Sequence, residues 1–581
     1  MTALVGDAPR RAVRGRRPTR RSQAIFALKV MLLRARRGAV EFGRAPPRLA
    51  RAGADDGSDR LVAQSVTPLW SDPSLSETAM QFGKVQNLRR AAAALDGRLL
   101  TPGAVFSFWR HVGRATPGRG FASGRMLREG CMVAAVGGGL CQLSNALYDV
   151  ALGAGCRIVE RHAHSHRVPG SAAAVGRDAT VAWNYVDLRF EAPRPLRLSV
   201  KLDARDLVVG LLGKEPAPSF GAGPDAPPAF APTLREAASC GSCDQTDCHL
   251  HEHRKGAVLA GRAAYLVDEA WPEFATYVAA ARRPEDAIGL ATARRWSTAG
   301  FAEVHEAPLA GALRSLGWRL TPPQGAARRT ADARATARIA AVLARRLAPD
   351  VAEVAVAQSL LPYLWRDGAL GGRRFRVLMT RLPMDVLQAR LDAAFADHPD
   401  RPTLADYRAD PALAEAEAEA LASADAVFTP HAEIAALFED RATRLDWLRP
   451  AAPARPPRPG RLFAFPGPTV ARKGAFELRD AARRLGASVR PLGAELEGPG
   501  FWSDLTVDAP AAGVSWLDGV RAVVLPALAE SAPRSLLTAL AAGVPVIATA
   551  ACGLGPQAGL TLVPMGDVDA LAAAMAAAGT F

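Results

Sequence analysis

The stretch Ala522-Val523-Val524-Leu525-Pro526-Ala527-Leu528-Ala529-Glu530, then Pro533-Arg534-Ser535-Leu536-Leu537-Thr538-Ala539-Leu540-Ala541-Ala542, Gly543 and Val544-Pro545-Val546-Ile547-Ala548-Thr549, decides the fold of the C-terminal half. A short uncharged apolar run reads as a strand buried on both faces, and the segment after Pro533 has apolar residues at helical spacing. Pro533 suits a first helical position and Gly543 a helix end, so strand, helix and strand predict a βαβ unit on a parallel sheet. Upstream, strand Leu462-Pro466 and helix Ala475-Leu485 repeat the unit. The loop Gly467 to Gly474 leaves a strand and opens a helix, where an open α/β sheet binds ligands. Arg472 and Lys473 in it are placed to meet a diphosphate, and the helix after Pro533 offers free N–H groups to an anion.

Further out, Gly256 to Leu448 alternates short apolar runs with Ala/Arg-rich helices: Ala333-Leu347, Val351-Ala357, Phe375-Thr380, Leu413-Ser423 and Ala426-Thr429. Leu61 to Leu212 reads as one mixed domain, with a helix over Ser76-Leu95 and alternating strands over Ala179-Phe190 and Leu196-Leu202. Six Pro between Lys214 and Pro232, and five between Pro450 and Gly460, mark two linkers. The expected division is a basic arm 1–60, a mixed α+β domain 61–213, a linker 214–234, a Cys/His connector 235–255, and Rossmann-type doubly wound domains 256–448 and 461–581 joined by a linker 449–460. The fold class is α/β overall, and 581 residues are too many for one core.

Charge is concentrated at one end. Up to Arg51 the chain carries 13 Arg and one Lys against Asp7 and Glu41, a net +12 of the formal +15. The basic pI therefore gives no support for a nucleic-acid surface on the body. Within the arm, Ala24 to Leu33 is apolar but for Lys29 and lies between Arg20-Arg21 and Arg34-Ala35-Arg36-Arg37. It is too short to span a bilayer and has no cleavage site after it. A basic amphipathic helix on an anionic membrane surface and a disordered tail are the two readings.

Seven Cys, three of them packed in Cys240-x2-Cys243-x4-Cys248, fit a reducing compartment better than a disulfide framework, so the cytoplasm is expected. With His251 these three supply four ligands within twelve residues, and His249 and His253 are alternates. Zinc is the first reading, an iron–sulfur cluster the second, and an unmetallated cluster the third.

A second set of chemistry-bearing residues begins at Gly137-Gly138-Gly139-Leu140-Cys141-Gln142-Leu143-Ser144-Asn145 and continues through Glu160-Arg161-His162-Ala163-His164-Ser165-His166. Upstream is Gly103-Ala104-Val105-Phe106-Ser107-Phe108-Trp109-Arg110-His111-Val112-Gly113. Downstream is Gly176 to Phe190, with Asp178, Trp183, Tyr185 and Asp187. Cys141 with His162, His164 or His166 and an acid such as Asp178 has the parts of a Cys/His nucleophilic site; Cys141, His164 and Asp178 are the named set. If a strand follows Glu160, the three histidines share one face, which also fits metal ligation. The alternative is a buried, inert Cys141 with histidines bonded to their neighbours, and Trp183, Tyr185 and Phe190 in the core. This ordered set of four motifs, from about Gln81 to Leu212, resembles the VanW family, whose activity carries nothing over to these residues.

The C-terminal pattern resembles the donor domain of GT-B glycosyltransferases of the large retaining family 4. That resemblance implies a nucleotide-sugar donor held by Gly467, Arg472, Lys473, Glu530 and Thr538. Gly467 and Lys473 stand at the loop Gly and Lys, and Glu530 at the first Glu of the Glu-x7-Glu motif. Two departures stand out: Pro468 replaces the loop Arg, and Thr538 the second Glu. Ala424-Asp425-Ala426-Val427-Phe428-Thr429-Pro430-His431 resembles the family's turn into the interdomain cleft. The function implied is transfer of a sugar to an envelope or secondary-metabolite acceptor. The alternatives are a non-catalytic scaffold with a decayed GT-B half, and a Cys141-dependent thiol enzyme.

Overall fold

The computed structural model describes residues 19–52, 59–70, 75–128, 131–164, 166–167, 177–214, 235–236, 238–239, 261–292, 296–322, 325–508 and 515–578. The expected metal ligands Cys240, Cys243, Cys248 and His251, most of the first linker and the side chain of His166 lie outside the described residues. The chain forms two compact units. One runs to Arg262 and includes Ala348–Ala352 and Gly368–Arg373; the other comprises Ala263–Leu347, Glu353–Asp367 and Arg374–Phe581.

In the first unit, strands Arg60–Pro68, Asp206–Gly213, Leu196–Leu202 and Arg98–Leu100 form an antiparallel sheet in that order. Its apolar residues alternate, as one buried face requires. Leu198, Val209 and Leu211 share a core with Leu88 and Leu95 of helix Leu75–Leu95 and with Leu143, Leu147 and Val150 of helix Leu140–Gly153. Strands Val105–Ser107, Arg189–Glu191 and Arg157–Glu160 form a small second sheet with Arg189–Glu191 at its centre.

Two sequence expectations fail here. The alternating stretch Ala179-Phe190 is not a strand: it makes one bridge, Ala182 to Val186, and becomes a strand only at Arg189. The cause is Asp187, 1% exposed, which takes hydrogen bonds from the Ser107 hydroxyl (2.6 Å), the Trp109 N–H (3.1 Å) and Arg189 Nε (2.9 Å) and so bends the chain around itself. The segment after Glu160 is not a strand either. Strand Arg157–Glu160 ends there, Arg161 to His164 are irregular and a strand resumes at His166–Arg167, so His162 and His164 share no strand face.

The second unit holds two parallel sheets. The first has the order Glu303–Glu306, Ala287–Leu290, Arg262–Val267, Val351–Ala357, Arg374–Leu378, Ala426–Thr429, Ala442–Arg444, or 3-2-1-4-5-6-7 by position in the chain. The other runs Val489–Pro491, Leu462–Phe465, Val520–Leu525, Val546–Ala548, Leu560–Leu562, or 2-1-3-4-5. Both are doubly wound orders, and in each the strand order reverses beside the first strand. In the second sheet the reversal lies between Leu462–Phe465 and Val520–Leu525. The loops leaving those two strands, 466–474 and 526–533, therefore flank the crevice in which such sheets bind ligands. Helix Arg534–Ala541 begins one residue later than expected, with Pro533 just outside it.

Candidate functional site

The loop from Gly467 ends in a tight turn, Ala471–Lys473, closed by Gly474 at φ +79°. A Cβ at Gly474 would lie 2.2 Å from the Pro526 carbonyl oxygen, so glycine is required for the two crevice loops to touch. The Arg472 carbonyl accepts the Leu528 N–H at 2.9 Å, and the Lys473 ammonium is ion-paired with the Glu530 carboxylate. Glu530 also accepts the Ala532 N–H at 2.8 Å, and its carbonyl oxygen lies 3.0 Å from His431 Nε2. Burial works against ionising Glu530. Lys473 outweighs that penalty and keeps the carboxyl below its ordinary value. Burial also lowers His431, which favours the neutral imidazole.

These groups border a cavity of about 300 Å³ whose lining includes Arg328, Arg329, Arg381, Arg472, His431 and Glu530. Four guanidinium groups in one concave site suit a phosphate-bearing ligand. Arg381 Nε is buried without a hydrogen-bond partner among the described residues. The same guanidinium lies 3.7 Å from the Glu417 carboxylate through Nη2, so its Nε is the part left for a further acceptor.

Of the residues expected to hold a donor, Arg472 and Glu530 line the cavity, and Lys473 is buried against Glu530. Gly467 and Thr538 are not among the lining residues, and the Thr538 hydroxyl donates to the Arg534 carbonyl at 2.9 Å within its own helix. The start of that helix is also committed. Arg534 forms two 2.6 Å bonds to the buried Glu273 carboxylate and stacks on Trp271 and Trp447. Sequence reasoning missed Arg328, Arg329 and Arg381. They belong to no motif and are lost among abundant arginines, although Arg381 follows a strand end, where ligand contacts concentrate.

In the first unit the Gly-rich motif is a turn pressed against its neighbours. A Cβ on Gly138 would lie 2.2 Å from the Gly124 carbonyl oxygen, and the Gly138 carbonyl accepts Asn87 Nδ2 at 2.8 Å. The turn launches helix Leu140–Gly153, with Cys141 half-buried at its second residue. The motif's polar residues tie the surroundings together. Gln142 reaches Thr67 and Pro68, the Ser144 hydroxyl donates to the Ala179 carbonyl at 2.6 Å, and Asn145 accepts the Ala179 N–H at 2.7 Å. Asp178 is thereby held beside His164, whose N–H donates to its Oδ2 at 2.6 Å and whose Nδ1 lies 3.1 Å from the same oxygen. Arg161 binds the other carboxylate oxygen at 2.8 Å.

The Cys141 thiol lies within electrostatic reach of the His164 imidazole, and the Thr180 hydroxyl lies 3.6 Å from Sγ. Burial alone would push the thiol up and the imidazole down. Their mutual interaction, with Asp178 behind the imidazole, reverses both: Cys141 falls below its ordinary value, His164 rises to about 9, and Asp178 falls to about 2. Cys141, His164 and Asp178 thus meet, while His162 is exposed beside Glu160. Trp109 and Phe190 are buried in the core, Trp183 packs on it half-buried, and Tyr185 is half-buried.

Residues 83–212 match the family described as VanW like protein, and residues 509–578 the family described as Glycosyl transferases group 1. Over 132 residues the chain is 38% identical to the vancomycin B-type resistance protein VanW of Enterococcus faecalis, covering 22% of this chain and 48% of that one. Over 131 residues it is 33% identical to the uncharacterized protein YoaR of Bacillus subtilis, covering 22% and 43%. The chain spans about half or less of the length of these curated relatives. Among solved structures, sucrose-phosphate synthase from Thermosynechococcus elongatus aligns with 55% of this chain and 89% of its own at 15% identity and a TM-score of 0.35. A trehalose-phosphate synthase from Burkholderia vietnamiensis aligns over 55% and 89% at 12% identity and a TM-score of 0.34.

Proposed function

We propose that this protein, with its VanW like domain and its group 1 glycosyl transferase domain, transfers a sugar with retention from a nucleoside diphosphate sugar to an envelope or secondary-metabolite acceptor. The observation that carries this reading is the arginine-lined cavity at the carboxyl ends of the parallel strands, with the Lys473–Glu530 pair at its edge. Arg472 and Lys473 would neutralise the leaving diphosphate as the glycosidic bond breaks, and Glu530 would accept hydrogen bonds from the sugar. The test is release of nucleoside diphosphate from a panel of nucleotide sugars. Turnover of one donor, lost in Glu530→Ala, supports the reading; no turnover of any donor opposes it. A second reading, a non-catalytic scaffold with a decayed GT-B half, is favoured by Thr538, whose hydroxyl is spent inside its own helix.

Three further assignments belong to this proposal. Cys240, Cys243, Cys248 and His251 hold zinc or, as the alternative, an iron–sulfur cluster, with stoichiometric zinc by elemental analysis the expected result. The arm rests on an anionic membrane surface, and the chain works in the cytoplasm. Among the described residues no helix is long and apolar enough to cross a membrane.

A further inference from the structure

We propose that Cys141, His164 and Asp178 form a second active site, a thiol acyl-transfer centre that takes a carboxylic ester, thioester or amide. None of the three lines the arginine-rich cavity. The His164 imidazole holds the Asp178 carboxylate through Nδ1 at 3.1 Å and interacts with the Cys141 thiol, whose Sγ lies 3.6 Å from the Thr180 hydroxyl two residues after Asp178, so nucleophile, base and orienting acid are gathered in one place.

Each member is fixed by a different part of the motif set. Cys141 sits in the first turn of helix Leu140–Gly153, where the positive end of the helix favours a thiolate. Asp178 is clamped by Arg161, itself stacked over the Tyr148 ring at 5.2 Å, and by the His164 N–H. Ser144 and Asn145 of the same helix bind Ala179 and hold the Asp178 segment in register with Cys141. This accounts for why Cys141, Ser144 and Asn145 occur in one run.

Two observations separate the arrangement from its rivals. Among the described residues no three His, Cys, Asp or Glu groups converge on a point that could hold a metal ion, and a chain passing through an imidazole suits proton transfer instead. Cys156 and Cys552, the other cysteines with described side chains, are buried packing residues whose thiols are pushed up to about 12. Cys141 is half-buried and shifted the opposite way.

The Cys141 thiolate adds to the carbonyl carbon, forming a C–S bond and moving the carbonyl electron pair onto oxygen. As that pair returns, the bond to the alcohol, thiol or amine breaks, and the leaving group takes the proton of the His164 imidazolium. Water, or an acceptor hydroxyl or amine, then gives a proton to the imidazole and attacks the thioester, and the C–S bond breaks to restore the thiolate. No redox partner is needed.

The full chain is treated with p-nitrophenyl acetate, followed by peptide mass spectrometry, and in parallel with iodoacetamide at pH 6. The expected results are a stoichiometric burst of nitrophenolate with the acetyl group on Cys141, and alkylation of Cys141 ahead of Cys156 and Cys552. His164→Ala should slow both reactions by roughly 100-fold or more, as removal of a positioned base does. Asp178→Asn should move the pH profile of alkylation toward that of an ordinary thiol in a protein that keeps the native circular-dichroism spectrum. Modification of Cys141 only after denaturation, or equal rates in natively folded His164→Ala, overturns the proposal. Neither result depends on the nucleotide-sugar cavity, so its failure is distinguishable from failure of the glycosyl-transfer reading.

Discussion

Lys473 and Glu530 show how a motif residue acts through burial as well as charge. Their side chains are 11% and 10% exposed, so removing the ammonium leaves a nearly buried carboxylate without its cation. Lys473→Ala should weaken nucleoside diphosphate binding by about 1.5–3 kcal/mol, the worth of a charged hydrogen bond. It should also destabilise the fold by about 1–3 kcal/mol at pH 7, below the 3–5 kcal/mol of a fully buried broken pair. Glu530 ionises below its ordinary range, so its stabilisation is present above the unfolded value and lost as pH falls through the folded one. The stability gap between wild type and Lys473→Ala, read by urea unfolding, should therefore shrink on acidification. His164 behaves in the opposite sense. With its folded value near 9, its stabilisation is complete below about 6.5 and disappears as pH rises through about 9. The pH-dependent part of the difference between wild type and His164→Ala should follow that course; a difference flat from pH 6 to 10 would contradict it.

Among the elements, strands with a clear apolar pattern were the most legible. Val351–Ala357, Ala426–Thr429 and Leu196–Leu202 have the expected ends, as does helix Ala475–Leu485, because each is an apolar pattern bounded by turn residues or charge. Short strands such as Val489–Pro491 and Leu560–Leu562 were not read, since three residues carry no period. Ala179-Phe190 misled because alternation cannot reveal that Asp187 is buried by side-chain bonds from another segment. The candidate site in the first unit was legible as residue types, but the choice of His164 over its neighbours is made by Asp178 and Arg161 in space. Helix Arg20–Glu41 extends well beyond the apolar run expected for it. Its later turns are tied down by Arg34 to the Trp183 carbonyl and by Arg37 to Glu160, while Phe26, Met31 and Leu32 are about 60% exposed. An apolar surface between basic residues should lie on anionic lipid. The chain should co-sediment with anionic vesicles, less so at high salt, and Phe26→Asp with Leu32→Asp should abolish it. Equal binding to neutral vesicles would refute the electrostatic account.

Across the whole molecule, the two candidate sites lie in separate folded units, one built on small sheets with helices, the other on a pair of doubly wound sheets. The doubly wound half was readable from strand and helix alternation, and the 2-1-3-4-5 order explains why the Gly467 and Glu530 loops meet although 63 residues separate those positions. The arginines of the cavity come from distant segments, Arg328 and Arg329 from one helix and Arg381 from a strand end, and only folding brings them to Arg472. In the proposed function this cavity binds the diphosphate of a sugar donor. Isothermal titration of the wild-type chain and of Arg381→Ala with UDP, GDP and ADP tests it most directly. Saturable binding of one nucleotide by the wild type, weakened about tenfold or more in an Arg381→Ala protein that keeps the native circular-dichroism spectrum, is the predicted result. No binding of any of the three, or equal affinity in the two proteins, would contradict it.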